Sequence, residues 1–359
     1  MTWRFHLQEL PSGRWIDRDL PLRNAQVITA LSTPSSIRGS LSLGYQNVSE
    51  VREWGCAVIA EEEGRDPVFG IVDSPVRKNG GSLEIDAGGF ARYPEGTPWL
   101  GADFAGVQVD PLDMVRKIWD HIQSFPDSNL GVEVDALTSP VRIGKPEQNV
   151  SFTTGSGTDV NFDAGPFRLA WWATEDLGKV IDDLALATPF SYRERSFWSG
   201  EGIRHRLELG YPRLGARREE LRFEIGVNVR VIPVVGSGEY GSEIFLCGAG
   251  EGRTKIRADR LTRNTGRLRR VHVATDKGLT SRGAATAAAR PILDRLSGAP
   301  MIDSLSIVDH PMAPLGSFQI GDEIRVQGDA GWGEMDLWVR VSETTVDCET
   351  GNIEVKVTT

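Results

Sequence analysis

The chain has 359 residues, 40% hydrophobic and 25% charged, which excludes a disordered or low-complexity protein and predicts two to three packed domains at roughly 100–200 residues each. A formal charge of −10 argues against wholesale nucleic-acid binding. The cysteines Cys56, Cys247 and Cys348 are far apart and odd in number, so they define neither a disulfide framework nor a C-x-x-C pair.

The first hundred residues read as strands. Trp3–Leu10 alternates, with Trp3, Phe5 and Leu7 on one face, and Pro11-Ser12-Gly13 supplies a turn. Further strands are predicted over Ala25–Ser32, Ile37–Leu43, Cys56–Glu62, Val68–Asp73 and Gly81–Ala87, with Gly80-Gly81 as the hairpin turn between the last two. Short links between six or seven strands predict a closed or nearly closed barrel or a sandwich. No run reaches the ~20 apolar residues of a membrane span. The start, Met1-Thr2-Trp3-Arg4-Phe5-His6, carries no apolar signal core.

Asp110–Ser124 is the clearest helix. Asp110 suits the cap and Pro111 the first helical position, while Leu112, Val115, Trp119 and Ile122 form one apolar face. Thr153–Thr158 reads as an exposed loop. A second helix is predicted over Glu175–Ala187, capped by Thr174 and stopped by Pro189. Strands return at Phe190–Arg195, His205–Leu209, Val227–Pro233, Glu243–Gly248 and Arg267–Ala274. The alanine-rich stretch Ser281–Ser297 predicts a third helix, with a kink or break at Pro291 and a stop at Gly298. The chain closes on strands at Ile302–Asp309, Glu323–Gln327, Asp336–Ser342 and Asn352–Val357. The pattern is α+β, mainly β.

Catalytic and metal motifs do not emerge. His6, His121, His205, His272 and His310 occupy no metal-ligand spacing, and no cofactor is expected. Asp309-His310 has no nucleophile motif beside it and reads as a turn before Pro311. Gly248–Lys255 (G-A-G-E-G-R-T-K) resembles a phosphate loop only superficially. Arg-Thr-Lys follows its last glycine, and Ile256-Arg257-Ala258 reads as a strand where that loop needs a helix.

Two features suit contact with other proteins. Arg253, Lys255, Arg257, Arg260, Arg263, Arg267, Arg269 and Arg270 form a basic strip interrupted by one acid, Asp259. On an acidic body such a strip fits an interface in which charge sets register, ahead of a solvated face or phosphate contact. Trp171-Trp172 places two adjacent indoles on a strand edge or loop. If extended, the segment turns one to the core and one to solvent, where an exposed indole suits an interface hot spot or a sugar-binding groove.

The stretch Asp110–Ser124 with Asn129-Leu130-Gly131-Val132 resembles minor tail proteins of phages infecting mycobacteria and related actinobacteria. Gly70-Ile71-Val72, Gly88–Pro94, Leu315-Gly316 and Gly321–Val326 share the resemblance, and the order of the pieces is similar to that of tail hub proteins, the trimeric relatives of the contractile-tail baseplate hub. The resemblance implies two tube-like antiparallel β-barrel domains with inserted α/β domains. The expected division is 1–109, an N-terminal barrel-like tube domain, 110–215, an inserted α/β domain, and 216–359, a C-terminal tube-like domain. It further implies a non-enzymatic virion protein at the tail tip of a siphovirus, made in the host cytoplasm. Its implied partners are two further copies of itself, the distal tail ring protein, the tape measure protein and other minor tail proteins. No membrane is involved, and DNA meets the protein only by passage through the tube. The chain ends on a strand, Ile353–Val357, without the C-terminal hydrolase or fibre of many such hubs, so a bare hub is expected. The alternatives are a hexameric distal tail ring protein and a receptor- or carbohydrate-binding tail module.

Overall fold

A computed structural model describes residues 3–78, 81–153, 159–231, 240–264, 266–277, 279, 282–297, 302–329 and 334–358. The chain is mainly β and divides into two compact units. The larger comprises Met1–Arg230 and Ser306–Lys356; the smaller comprises Val231–Leu305 and Val357–Thr359.

In the larger unit, Trp3–Glu9 pairs antiparallel with Cys56–Glu62 along its whole length. Cys56–Glu62 is buried on both faces, and strand alternation sends its side chains to two different cores. Cys56, Val58 and Ala60 join Phe5, Leu7, Val27, Ile37 and Leu41. Ala57 and Ile59 face the other way and pack with Phe69, Ile71 and the first helix. That helix, α1 (Pro111–Gln123), buries Leu112, Val115, Ile118, Trp119 and Ile122, each worth about 1.5–3 kcal/mol of burial. Its cap does more than end a helix. The Asp110 carboxylate accepts from the Leu112 amide at 3.0 Å and also from the Ser139 amide at 2.6 Å and hydroxyl at 2.9 Å. One side chain thus starts the helix and fixes the returning loop.

The second helix, α2 (Leu177–Ala187), is capped by Asp176, which accepts from the Lys179 amide. Thr174, expected in that role, is buried and accepts from the Ala170 amide in the preceding turn. The hairpin Ser191–Ser199 with Gly202–Gly210 follows, joined in parallel by Val132–Val134.

The main sheet has 14 strands. Its path runs open from Val229–Val231 to Trp15–Asp17 and closes no barrel among the described residues. Of the closed barrel, nearly closed barrel or sandwich expected in the first hundred residues, the closed form is absent for a specific reason: the edge of Arg23–Ala30 is taken by Glu334–Asp347 from the far end of the chain, paired from Ala30↔Glu343 to Gln26↔Asp347. The Gly321-Asp322 turn anchors this C-terminal stretch. Asp322 is buried and accepts from the Ala216 and Gln319 amides and from Arg218 Nε. Gly215 approaches so closely, at φ +99°, that a Cβ there would lie 2.1 Å from the Gly321 carbonyl oxygen; only glycine fits.

In the smaller unit, Glu243–Cys247 lies between Leu261–Thr262, antiparallel, and Val271–Thr275, parallel. The third helix, α3 (Arg282–Ser297), covers one sheet face, where Ala285, Ala289 and Leu293 meet Ile244 and Leu246. It runs unbroken through Pro291, so of the expected kink or break the break does not occur; Gly298 lies outside the described residues.

Other differences are local. Val68–Val72 pairs with Ser82–Gly88 as expected, at Ile71↔Gly88 and Val72↔Ala87, but Val76–Lys78 also pairs with the start of Ser82–Gly88; Gly80 itself is not described. Ile256–Ala258 forms a single bridge, Cys247↔Arg257, rather than a strand, while Ile256 and Ala258 pack in the α3 core. Residues 154–158 of the predicted loop are not described, but Gln148–Thr153 and Asp159–Ala164 pair as a hairpin around them. The turn expected at Asp309-His310 falls one step later, at Pro311-Met312, with His310 bridging Ala313 across it and His310 Nδ1 accepting from the Met312 amide at 3.2 Å.

Candidate assembly surfaces

All eight residues of the basic strip lie exposed in the smaller unit, but they divide into two sets. Glu243 takes Arg260 at 3.1 Å and Arg269 at 2.8 Å. The bonds from Arg269 and then Arg260 hold its carboxyl at about 2, so it stays ionised throughout the physiological range. Arg263 pairs with Asp294 on α3. Arg257 lies 5.6 Å from the Phe245 ring centroid and Arg267 lies 5.2 Å from that of Tyr240, both cation–π distances. Among the described residues, no carboxylate forms an ion pair with Arg253, Lys255, Arg257, Arg267 or Arg270. Three cations therefore brace the fold and five are presented outward.

The sheet beneath them has an uncovered apolar face. Parallel register puts Glu243 beside Val271 and Phe245 beside Val273. Partners in a ladder share a face, so these four side chains lie opposite α3. Phe245 is 38% exposed, Val273 66% and the nearby Leu268 91%. Between residues 231 and 305 the sequence carries twelve Lys and Arg against seven Asp and Glu. This segment therefore has a net charge of +5 in a chain of −10, which leaves −15 on the remainder.

The larger unit presents a contrasting surface. Trp171 and Trp172 sit in a turn rather than a strand, closed by amide bonds from Ala173 and Thr174 to the Ala170 carbonyl. Strand alternation therefore does not apply, and both are exposed, at 67% and 55%. Trp172 Nε1 donates to Asp103 at 3.3 Å. The Trp99 amide donates to the Thr174 carbonyl, which brings the exposed Leu100 to the same segment. Glu175 and Asp176 follow directly.

The fold built this way has solved counterparts, although no family profile and no curated protein matches the sequence. The 43 kDa tail protein of prophage MuSo2 from Shewanella oneidensis superposes with a TM-score of 0.60 at 14% identity, over 98% of this chain and 97% of its own. A tail protein from Neisseria meningitidis MC58 gives 0.56 at 12% identity, over 99% and 96%. Prophage tail protein gp18 from Listeria monocytogenes EGD-e gives 0.54 at 12% identity, over 98% and 94%. The chain has the fold of these tail proteins.

Within that fold two titratable groups stand out that the sequence did not mark, the half-buried Glu194 and the buried His205. Glu194 Oε2 accepts from the Ser35 amide at 2.7 Å and Oε1 from the Ala91 amide at 2.5 Å. Gly89 lies between, where a Cβ would fall 2.1 Å from Oε2. Burial raises the Glu194 carboxyl to about 7 despite both amide bonds. His205 sits opposite Ser196 in the hairpin register, with Nδ1 3.0 Å from its hydroxyl. The Phe69 and Phe90 rings lie 4.3 and 5.4 Å away, and burial lowers the imidazole to about 4. Glu194 also lines a cavity of about 310 Å³ with Trp3, Phe69 and Phe318. The charged neighbours there are spent on each other: Arg193 on Glu208, and Arg195 on Asp66 and Glu208. Among the described residues no group of three His, Cys, Asp or Glu gathers to hold a metal ion, and no helix is long and apolar enough to cross a membrane.

Proposed function

We propose that the protein is a structural subunit of a phage tail, a trimeric hub that closes the tail tube and connects it to the distal tip. The observation that carries this reading is a likeness in fold to prophage tail proteins that extends over nearly the whole of both chains. The charge division supports it. A basic segment of +5 and an acidic remainder of −15 let one copy attract the next in a head-to-tail contact, the kind that closes a cyclic ring. On this reading the stretches 1–109 and 216–359 carry the tube-forming strands and 110–215 is the insertion between them. The partners are the distal ring protein, the tape measure protein and other minor tail proteins, and the protein turns over no substrate.

Sedimentation of the purified chain tests the stoichiometry. The expected species has three times the 39.4 kDa chain mass. A species of six copies favours the hexameric distal ring protein instead. A monomer at every concentration opposes both.

A further inference from the structure

The basic segment and the tryptophan turn are complementary in more than net charge. The smaller unit offers a flat apolar face, Phe245 with Val273, edged by Arg257 and by the arginines gathered at Glu243. The larger unit offers two exposed indoles with carboxylates on both sides, Asp103 before and Glu175 and Asp176 after. Guanidinium groups stack on indole faces and fork onto carboxylates. Each surface therefore supplies what the other lacks, and each is too apolar to be a neutral solvated face.

Each patch is only partly engaged by its own unit, through Arg257 against Phe245 and the Trp172 bond to Asp103. Among the described residues, Arg253, Lys255 and Arg270 form no ion pair, and Trp171 makes no ring contact. The acidic side is also crowded. Asp176 and Asp182 both act on Glu95, whose carboxyl is raised by burial and then by these neighbours, against Arg92. An incoming cation would relieve that crowding.

We propose that the Phe245–Val273 face of one copy docks on the Trp171–Trp172 turn of a second copy of this chain, with Arg257 over an indole. The contact is heterologous. Each copy donates one surface and accepts with the other, so repeating it three times closes a ring with no patch left over. The proposal rests on the hub reading and adds to it the residues of the contact between copies.

Two double variants test it. R257E with V273D removes the donor surface, and W171A with W172A removes the acceptor. All four side chains are exposed, so both variants are expected to keep the wild-type thermal midpoint, which is measured first. Alone, each should remain monomeric at concentrations where the wild type is fully assembled, with at least ~100-fold weaker association, as for loss of central arginine and tryptophan anchors. Mixed in equal amounts, they should form a dimer that grows no further, because one sound donor meets one sound acceptor and the other ends are dead. Raised salt should weaken that dimer. Full assembly by either variant, or a mixture that stays monomeric, overturns the docking contact while leaving a wild-type trimer, and with it the hub reading, in place. A wild type that never assembles overturns both. DNA retention lost with R257E, or cell-wall glycan retention lost with W171A, while assembly is unchanged assigns the surface to another ligand and overturns the proposal.

Discussion

Replacing Glu194 with alanine should lower the thermal unfolding midpoint by roughly 5–10 °C. The carboxylate joins three parts of the larger unit. It sits on the Ser191–Ser199 strand, takes the Ser35 amide before the Ser36–Ser42 strand, and takes the Ala91 amide after the Ser82–Gly88 strand. Alanine leaves both enclosed amides without an acceptor, at a cost of about 1–3 kcal/mol each, and opens a void beside Gly89. Removal of a half-buried carboxylate offsets part of that cost. The net is about 2–4 kcal/mol, and a unit of this size loses about 2–4 °C per kcal/mol. Gly89→Ala should act on the same contact from the other side, because its Cβ would strike the carboxylate. Calorimetry of both variants checks this. Wild-type midpoints would show that the clamp carries no stability.

The second large effect is a change in how stability depends on pH. His205 is held neutral by burial, at about 4 in the folded chain against an ordinary value of 6.5. Below pH 6.5 the unfolded chain takes up a proton that the folded chain refuses until about pH 4, so stability falls as pH falls through that window. Glu194 works in the opposite sense. Its folded carboxyl titrates at about 7 against an ordinary 4.5, so its stabilisation is fully present below pH 4.5 and is lost as pH rises through 7. Each amounts to about 3 kcal/mol, and over pH 4.5–6.5 their two contributions to the wild-type slope should nearly cancel. His205→Gln, which can keep a hydrogen bond to Ser196, should become more stable toward acid. Glu194→Ala should become steeply less stable toward acid. Midpoints measured from pH 7 to 4.5 decide the matter; parallel curves for all three proteins would contradict it.

These two residues also mark the limit of what could be read from the sequence. The strand Cys56–Glu62 and helix α1 with its Asp110 cap were legible because their signals are local: alternation in one case, and a capping carboxylate, a first-turn proline and a 3.6-residue apolar stripe in the other. Glu194 meets Ser35 and Ala91 across 159 and 103 residues, and no local pattern distinguishes it from the surface acids. Short strands such as Val76–Lys78, Val132–Val134 and Phe167–Leu169 exist because a partner strand pairs with them, and three residues carry no period of their own. The open path of the main sheet was hidden for the same reason. It depends on Glu334–Asp347 reaching Arg23–Ala30, a pairing that neither stretch announces.

The basic strip was visible as composition, but its division was not. Only the fold shows that Arg260 and Arg269 share Glu243 and that Arg263 reaches α3, which leaves the others exposed without an ion pair among the described residues, Arg257 of them against Phe245. The tryptophan pair was likewise visible, but the sequence left a strand edge and a loop both open. A turn closed on Ala170 exposes both indoles, and that double exposure makes the segment a surface instead of a strand with one buried side.

The proposed role is a three-fold position at the end of a tail. Cryo-EM of tailed particles assembled with a tagged copy of this chain, averaged about the tail axis, measures that directly. Three copies at the tip end of the tube are predicted. Six copies around the axis, or a particle without the chain, would contradict it.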